Sequence, residues 1–231
     1  MRNANWLTWH IYAHLWENVV DKITITLYDV VGYVIPGFLS LISIALFFAF
    51  LTGNPICLTA IYEVNIFWQI GIAYIAGHLV QAIVSTIWKN KYDTDLRKSN
   101  ISPEILTKFR ESICSIVQAD EISHYDILII ENNISDDKIS TKVNMFRAFQ
   151  GLYKGIIGVL ALSIVGAIYL LFFPAVGQFA IKGTTIAITN VSLIVLLVSF
   201  LGILIVSVKR HNAFVRSRLR TIVSYYVGRN A

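Results

Sequence analysis

Four long stretches of the chain contain no Asp, Glu, Lys or Arg and consist mostly of apolar residues. They are residues 30–51, 64–88, 155–173 and 186–208. An α-helix rises 1.5 Å per residue, so about 20 residues cross the hydrocarbon core of a bilayer. In that core every backbone N–H needs a partner within its own segment, which favours helices. The pattern predicts four transmembrane helices, arranged as two hairpins of residues 30–88 and 155–208.

The remaining segments are more polar and complete the predicted domain organisation. Residues 1–29 place Trp9, Trp16 and Ile23 at helical spacing, which predicts a Trp-rich amphipathic helix. Such a helix lies either among the lipid headgroups or against the protein's own cytoplasmic part. Residues 89–154 predict a small cytoplasmic region, and residues 209–231 form a basic tail. The predicted fold class is an all-α membrane protein with four transmembrane helices and a small cytoplasmic helical cap.

Local signals divide the cap into three helices. Ser102-Pro103-Glu104 reads as an N-cap, a first-turn proline and an acid that complements the helix dipole, with the helix ending near Gln118. The apolar run 127–130 predicts a second short helix. From Asp136 onward, apolar residues at helical spacing predict a helix that continues into the third span.

The distribution of basic residues predicts the orientation. Eighteen of the nineteen Lys and Arg residues lie before the first stretch, between the second and third, or after the fourth. The two short loops contain only Lys182. By the positive-inside rule, both termini and the long connection are cytoplasmic, which predicts a multi-pass protein of the bacterial inner membrane.

The second span carries a stripe of polar side chains on an otherwise apolar helix. Tyr74, His78, Gln81 and Ser85 follow one another at intervals of four, three and four residues, which places them on one face. Polar groups within a membrane cost free energy unless they find partners. The stripe therefore provides interhelical hydrogen bonds, lines a water-filled pore or, less in keeping with the pattern, performs chemistry at His78.

The start of the first span predicts a kink. Pro36 has no N–H to donate, which frees the carbonyl of Gly32. Counted from the cytoplasmic ends, Gln81 lies at the depth of Pro36, so its amide is a candidate donor to Gly32. Asp29 stands at the cytoplasmic edge, where it either caps the helix or belongs to an acidic ring at a channel vestibule.

The third span opens with a GxxxG motif formed by Gly151 and Gly155. Small residues at this spacing let two helix backbones approach closely in a membrane. The motif predicts a packing face, either within one subunit or between subunits.

The tail contains six basic residues and no acid after residue 208. Arg216 and Arg220 lie beside an apolar stripe that includes Val215 and Leu219. One interpretation is an anchor at anionic lipid headgroups, each charge contributing on the order of 1 kcal/mol. The other is a surface for a phosphate-bearing ligand, such as a nucleotide or an oligonucleotide. The candidate lipid- or ligand-binding residues are Arg210, Arg216, Arg218 and Arg220.

Composition and motifs argue against an enzyme. Hydrophobic residues make up 56% of the chain and charged residues 14%, against about 25% charged in ordinary globular proteins. The sequence contains no zinc-protease, nucleophile-elbow, P-loop or dinucleotide motif. Cys57 and Cys114 are predicted on opposite sides of the membrane, so no disulfide is expected. We expect no catalytic residues, no metal and no cofactor.

Two motifs resemble small four-span prokaryotic membrane proteins of anti-phage defence operons, the Hailong-type membrane effectors. They are Asp29-x-x-Gly32-Tyr33-x-x-Pro36-Gly37 in the first span and Tyr74-x-x-Gly77-His78-x-x-Gln81 in the second. Both motifs are short, and the resemblance covers these two spans and the overall layout. It implies an oligomeric ion channel that a nucleotide product of a partner enzyme holds closed.

The residues and the resemblance together predict a homo-oligomeric channel or membrane-disrupting effector. Four helices per subunit leave little room for an aqueous path, so conduction needs several subunits around an axis. The main alternative is a non-conducting scaffold or partner subunit that contacts only membrane lipids and other proteins. A small transporter is a weaker alternative, because ionisable groups are scarce within the spans and no inverted repeat is visible.

Overall fold

The structure is a computed structural model that describes residues 29–88, 95–96, 101–114, 116–117, 122–173, 178–181 and 184–229. The predicted amphipathic helix of residues 1–29 lies outside the described residues, apart from Asp29. In chain order the elements are the π segment (Val30–Val34), the helices α1 (Ile35–Thr52), α2 (Ile56–Glu63), α3 (Ile66–Ile87), α4 (Pro103–Ile113), α5 (His124–Asn132) and α6 (Asp137–Phe172), the strands β1 (Gln178–Ile181) and β2 (Thr184–Ala187), and the helix α7 (Asn190–Arg229).

Within the described residues, four helices are long and apolar enough to cross a membrane, as predicted. They are the π segment joined to α1, and then α3, α6 and α7. The all-α description needs one correction, because β1 and β2 form an antiparallel hairpin between α6 and α7. Thr184, Thr185 and Ile186 are β-branched residues, which favour strands. The fourth span therefore begins at Asn190 rather than at residue 186.

The first span begins with a wide helical turn where the sequence predicts a kink. The N–H of Ile35 donates to the carbonyl of Val30, five residues earlier, so Val30–Val34 forms a π segment before α1. Pro36 follows in the first turn of α1 and cannot donate to the carbonyl of Gly32. That carbonyl is therefore open to a partner from another helix.

Asp29 does not cap the first span, so this part of the prediction is wrong. Its side chain makes no capping hydrogen bond to the π segment. The reason lies in its backbone, which is already helical with φ −68° and ψ −42°, whereas a capping residue adopts non-helical angles. The alternative role of Asp29 in a vestibule ring stays a prediction.

The helices α6 and α7 extend well beyond the thickness of a bilayer. They contain 36 and 40 residues, which corresponds to about 54 and 60 Å against a hydrocarbon core of about 30 Å. The predicted helix from Asp136 into the third span is confirmed. The basic tail is likewise continuous with the fourth span, because residues 209–229 are the last turns of α7.

The cap consists of α4, α5, the start of α6 and the end of α7, packed around one hydrophobic core. Side chains of Val215, Leu219 and Ile222 on α7 are almost fully buried in it. The apolar stripe of the tail is therefore the protein's own core rather than a lipid-facing surface. The buried members of this core are Leu96, Phe109, Ile113, Ile122, Ile127, Ile130, Ile134, Val143, Val215, Leu219, Ile222, Val223 and Tyr226.

Two helices of the cap, α4 and α6, start where the local sequence predicts, whereas α5 begins at His124, before the predicted apolar run 127–130. The side chains of Ser102 and Asp136 accept hydrogen bonds from backbone N–H groups in the first turns of α4 and α6. Ser123 and Asp126 form a reciprocal capping box at the start of α5. The structure ends α4 at Ile113, earlier than the predicted end near residue 118.

The GxxxG motif packs within the subunit, against the break in the first span. A Cβ atom added to Gly155 would lie 2.3 Å from the Cβ of Pro36. A Cβ atom added to Gly37 would lie 1.7 Å from the carbonyl oxygen of Ala73 on α3. Because no side chain fits at either point, the first span can approach α6 and α3 at backbone distance.

Candidate functional site

The amide of Gln81 joins three helices at the break in the first span. Its Nε2 donates to the carbonyl of Gly32 in the π segment, which confirms the predicted hydrogen bond. The same Nε2 donates to the carbonyl of Gly151 on α6 over 3.1 Å. Gln81 thus satisfies the carbonyl that Pro36 leaves open, and its role is interhelical bonding.

The other stripe residues lie on the outer surface of α3. Tyr74, His78 and Ser85 are exposed, whereas Gln81 is half-buried. The sequence therefore places all four side chains on one side of α3, but the structure divides them. Gln81 stands at the inner edge of the stripe, and the other three residues are exposed.

We call the surface formed by Gly71, Tyr74, His78, Ala82 and Ser85 the exposed face of α3. All five residues are exposed, and at about 100° per residue they fall within one narrow sector of the helix. A Cβ atom added to Gly71 would meet nothing within 4 Å, so no described part of the protein covers this face there.

Aromatic rings surround His78 on one side. The imidazole stacks on the ring of Tyr33, with centroids 3.7 Å apart, and meets the ring of Tyr74 edge-on at 4.5 Å. None of the described residues donates to or accepts from the ring nitrogens of His78. His78 is therefore a polar group in the middle of a span whose hydrogen-bonding capacity the described residues do not use.

Ser85 differs from His78 because its own helix satisfies it. The hydroxyl donates to the carbonyl of Gln81 one turn earlier, at 2.5 Å. A serine bonded in this way is tolerated on a lipid-facing surface. Among the stripe residues, His78 is the stronger indication of a polar environment outside the subunit.

A second polar site, which the sequence analysis missed, lies buried in the cap. The guanidinium of Arg218 forms a bidentate ion pair with Glu131, in which Nε pairs with Oε1 and Nη2 donates to Oε2 over 2.6 Å. Arg147 also donates to Oε2 of Glu131, and Nη1 of Arg218 donates to Oε1 of Gln150 over 2.9 Å. We call Glu131, Arg147, Gln150 and Arg218 the cap network.

The prediction of Arg218 as a lipid- or ligand-binding residue is therefore wrong. It is 2% exposed, and a guanidinium paired with a buried carboxylate cannot reach lipid or solvent. One signal could have shown this: Arg218 lies three residues after Val215 and four before Ile222, on the edge of the apolar stripe. Arg210 and Arg220 are exposed and Arg216 is half-exposed, so these three remain candidates.

His211 connects the end of the fourth span to α6. It lies three residues beyond residue 208, outside the charge-free span, and its side chain is 2% exposed. Its Nδ1 donates to the carbonyl of Gln150 over 3.2 Å. Burial lowers the pKa of His211 to about 4, the hydrogen bond to Gln150 opposes this change, and the nearby charge of Lys154 adds to it. The imidazole is therefore neutral at pH 7.

An apolar groove of about 260 Å³ lies between α1, α6 and α7, apart from both polar sites. Phe47, Gly166 and Leu170 contribute to its walls, and Ser163 donates to Ser43 over 3.2 Å at its edge. Among the described residues, no cluster of three or more His, Cys, Asp or Glu side chains could hold a metal ion.

Comparisons with protein-family models, with curated proteins and with solved structures found no match to this chain.

Proposed function

We propose that this chain is the subunit of an oligomeric membrane channel whose aqueous path runs along the exposed face of α3. The observation that carries the proposal is the position of His78. It lies nine residues before the end of α3, roughly 14 Å of helix, and so near the middle of the membrane. It faces out of the subunit, and no described residue bonds to its nitrogens.

Lipid is an unfavourable neighbour for this side chain. Hydrocarbon offers no hydrogen-bond partner, and ionisable residues within spans generally face protein or a water-filled cavity. Water in a pore or another copy of the chain would supply the missing partner for His78. An assembly around an axis provides both.

Around the first span, one subunit is too tightly packed to hold the path, and its groove between α1, α6 and α7 is apolar. The first span meets α3 at Gly37 and α6 at Gly155, where even a methyl group finds no space. This packing supports an aqueous route between subunits, along a surface such as the exposed face of α3.

The orientation and the trigger complete the proposal. The excess of Lys and Arg on the cap side favours a cytoplasmic cap in a bacterial inner membrane, with both termini inside. Arg210, Arg216 and Arg220 then stand near the inner leaflet, where they can bind anionic lipids or the phosphates of a nucleotide-type ligand. The resemblance to Hailong-type effectors supports gating by such a ligand in anti-phage defence.

A non-conducting scaffold is the second candidate, and two contacts favour it. Gln81 hydrogen-bonds to the first span, and the hydroxyl of Ser85 hydrogen-bonds to a carbonyl of its own helix. In that case His78 bonds to a partner protein, and no water enters the interface.

Reconstitution with thiol labelling tests the proposal. We would replace Cys57 and Cys114 by Ser, introduce His78→Cys or Ser85→Cys, and follow ion flux from liposomes of phosphatidylethanolamine and phosphatidylglycerol without nucleotide. A charged, water-soluble thiol reagent should label both positions and block the flux. The matched controls are Ile83→Cys, which is exposed on another face, and Val84→Cys, which is buried. Both should stay unlabelled. Absence of flux together with inert thiols at positions 78 and 85 would favour the scaffold.

A further inference from the structure

We propose that the cap network and Gln81 form one mechanical connection between the cap and the π segment of the first span. Through this connection, the position of α5 in the cap controls the position of Tyr33 against His78. The inference rests on the proposed channel function in one respect: it names the route by which the cap would gate the exposed face of α3.

The connection begins at Glu131, which ties α5 to both long helices. Its carboxylate binds Arg218 of α7 and Arg147 of α6, and the Glu131 side chain is only 4% exposed. A buried carboxylate that loses such partners is left as an uncompensated charge, which is strongly unfavourable. Movement of α5 therefore either moves α6 and α7 as well or breaks the ion pairs of the cap network.

The second step lies within α6, between the neighbouring residues Gln150 and Gly151. Arg218 holds the side-chain amide of Gln150, and His211 holds the Gln150 carbonyl. The next carbonyl in the chain, that of Gly151, accepts the hydrogen bond from Gln81. Gln150 and Gly151 share a rigid helical turn, so a displacement at one is a displacement at the other.

The third step transfers the position of α6 to the first span. A Cβ atom added to Gly151 would lie 3.3 Å from Nε2 of Gln81 and 3.4 Å from Cα of Gly32. Because these groups are in contact, α6 cannot move toward the π segment without displacing Gln81 or Gly32. Pro36 cannot donate to the carbonyl of Gly32, so the first span bends most easily at Gly32.

The last step reaches the exposed face of α3. Tyr33 follows Gly32, its ring stacks on His78, and its backbone carbonyl packs against Gly77. A change in the π segment therefore moves a ring that covers one side of His78. The surface that we propose as the pore lining thus responds to the cap.

Hydrogen exchange measured by mass spectrometry on the full-length protein in lipid nanodiscs tests the connection. Glu131→Gln should raise the exchange rate of amides in residues 30–37 by roughly tenfold, because the π segment opens locally more often. Gln150→Leu removes the direct hydrogen bond from Arg218 to α6, while the Glu131–Arg218 pair and the bond from His211 to the backbone carbonyl of residue 150 remain. It should act in the same direction, and it keeps the test decisive if Glu131→Gln does not fold.

Tyr226→Phe is the matched control. It removes a hydrogen bond of 2.7 Å from Tyr226 to the carbonyl of Ile130, next to Glu131, but it leaves the cap network intact. We expect faster exchange in α5 and no change in residues 30–37. Equal acceleration of residues 30–37 in all three variants would overturn the inference, and so would no acceleration in Glu131→Gln and Gln150→Leu.

The same experiment separates this inference from the channel proposal, because exchange does not depend on conduction. Coupled exchange in a protein that passes no ions would disprove the channel and leave the connection standing. Ion flux without coupled exchange would disprove the connection and leave the channel proposal standing.

Discussion

The ring of Tyr33 lies nearly parallel to the imidazole of His78, with centroids 3.7 Å apart and an interplanar angle of 13°. Tyr33 belongs to the π segment, and His78 belongs to the exposed face of α3. The break in the first span is therefore in direct contact with the exposed face of α3. This contact also covers one face of the imidazole.

Exchange of His78 and of Gln81 for leucine should have opposite consequences. His78→Leu removes a side chain that makes no hydrogen bond to the described part of the subunit, so stability should hold while a pore lined by this face loses conductance. Gln81→Leu removes donors to two carbonyls, and interhelical bonds in membranes contribute about 0.6 kcal/mol each on average. We expect it to lower the free energy of unfolding by roughly 1 kcal/mol.

Unfolding in mixed micelles and ion flux from liposomes measure the two effects. Leu79→Ala on the outer surface of α3 serves as a control for a general effect of substitution in this helix. Loss of stability in His78→Leu that exceeds that of Gln81→Leu would contradict the division of the stripe.

Gly155→Ala should disrupt the packing of α6 against Pro36. The new methyl group would lie 2.3 Å from the Cβ of Pro36, and overpacking of this kind costs about 1–3 kcal/mol or more. Gly202→Ala in the fourth span is the matched control, because its methyl group would meet nothing within 4 Å. Unfolding titrations of the two variants should therefore differ clearly. Equal stability would show that the first span and α6 are not in close contact.

Substitution of the basic residues at the end of α7 should have two different effects, one on stability and one on binding. Arg218→Gln leaves Glu131 with Arg147 as its remaining charged partner, so the cap should lose about 3 kcal/mol, the lower end for a broken buried pair. Arg216→Gln combined with Arg220→Gln should leave stability nearly unchanged and weaken binding of an anionic partner. Thermal unfolding measures the first effect.

Binding of the double variant distinguishes the two possible partners. Weaker binding to vesicles that contain phosphatidylglycerol, with intact nucleotide response, would identify these arginines as a lipid contact. A lost nucleotide response with normal membrane levels would identify a ligand contact. Normal behaviour in both assays would remove these residues from the candidate site.

Acid should destabilise the fold through His211. Its pKa is about 4 in the folded protein and near 6.5 in an unfolded chain. Between these values the unfolded chain binds the additional proton, so the free energy of unfolding should fall as the pH decreases from 6.5 toward 4. Above pH 6.5 both states are neutral at this group and its contribution is constant.

His211→Asn isolates this effect from other titrating groups. The difference in unfolding free energy between the original protein and the variant should depend on pH between 6.5 and 4 and be flat above 6.5. A difference that does not change with pH in that window would show that His211 is not held neutral.

The orientation of the chain is tested by reporter fusions. The positive-inside distribution predicts that fusions after Asn54 and Gln178 report the periplasm and that fusions after Asn100 and Ala231 report the cytoplasm. A cytoplasmic signal at Asn54 would invert the hairpin of residues 30–88 and place the cap outside the cell.

The sequence alone was sufficient to predict the four spans, the starts of α4 and α6, and one tertiary contact. Span formation depends on composition over about 20 consecutive residues, and capping by Ser102 depends on neighbours within one turn. The contact between Gln81 and Gly32 was also predictable, because Pro36 necessarily leaves a carbonyl open and only a polar side chain at the same depth can reach it.

Only the tertiary structure decided which polar groups are satisfied and which face outward. Glu131 and Arg218 stand 87 residues apart, and nothing in the local pattern of either residue specifies the other as its partner. The stripe on α3 divided for the same reason: helical periodicity places Tyr74, His78, Gln81 and Ser85 on one side, but the neighbouring helices determine how far the packed interface extends around it. Periodicity is a property of one helix, whereas burial is a property of the surfaces that meet it.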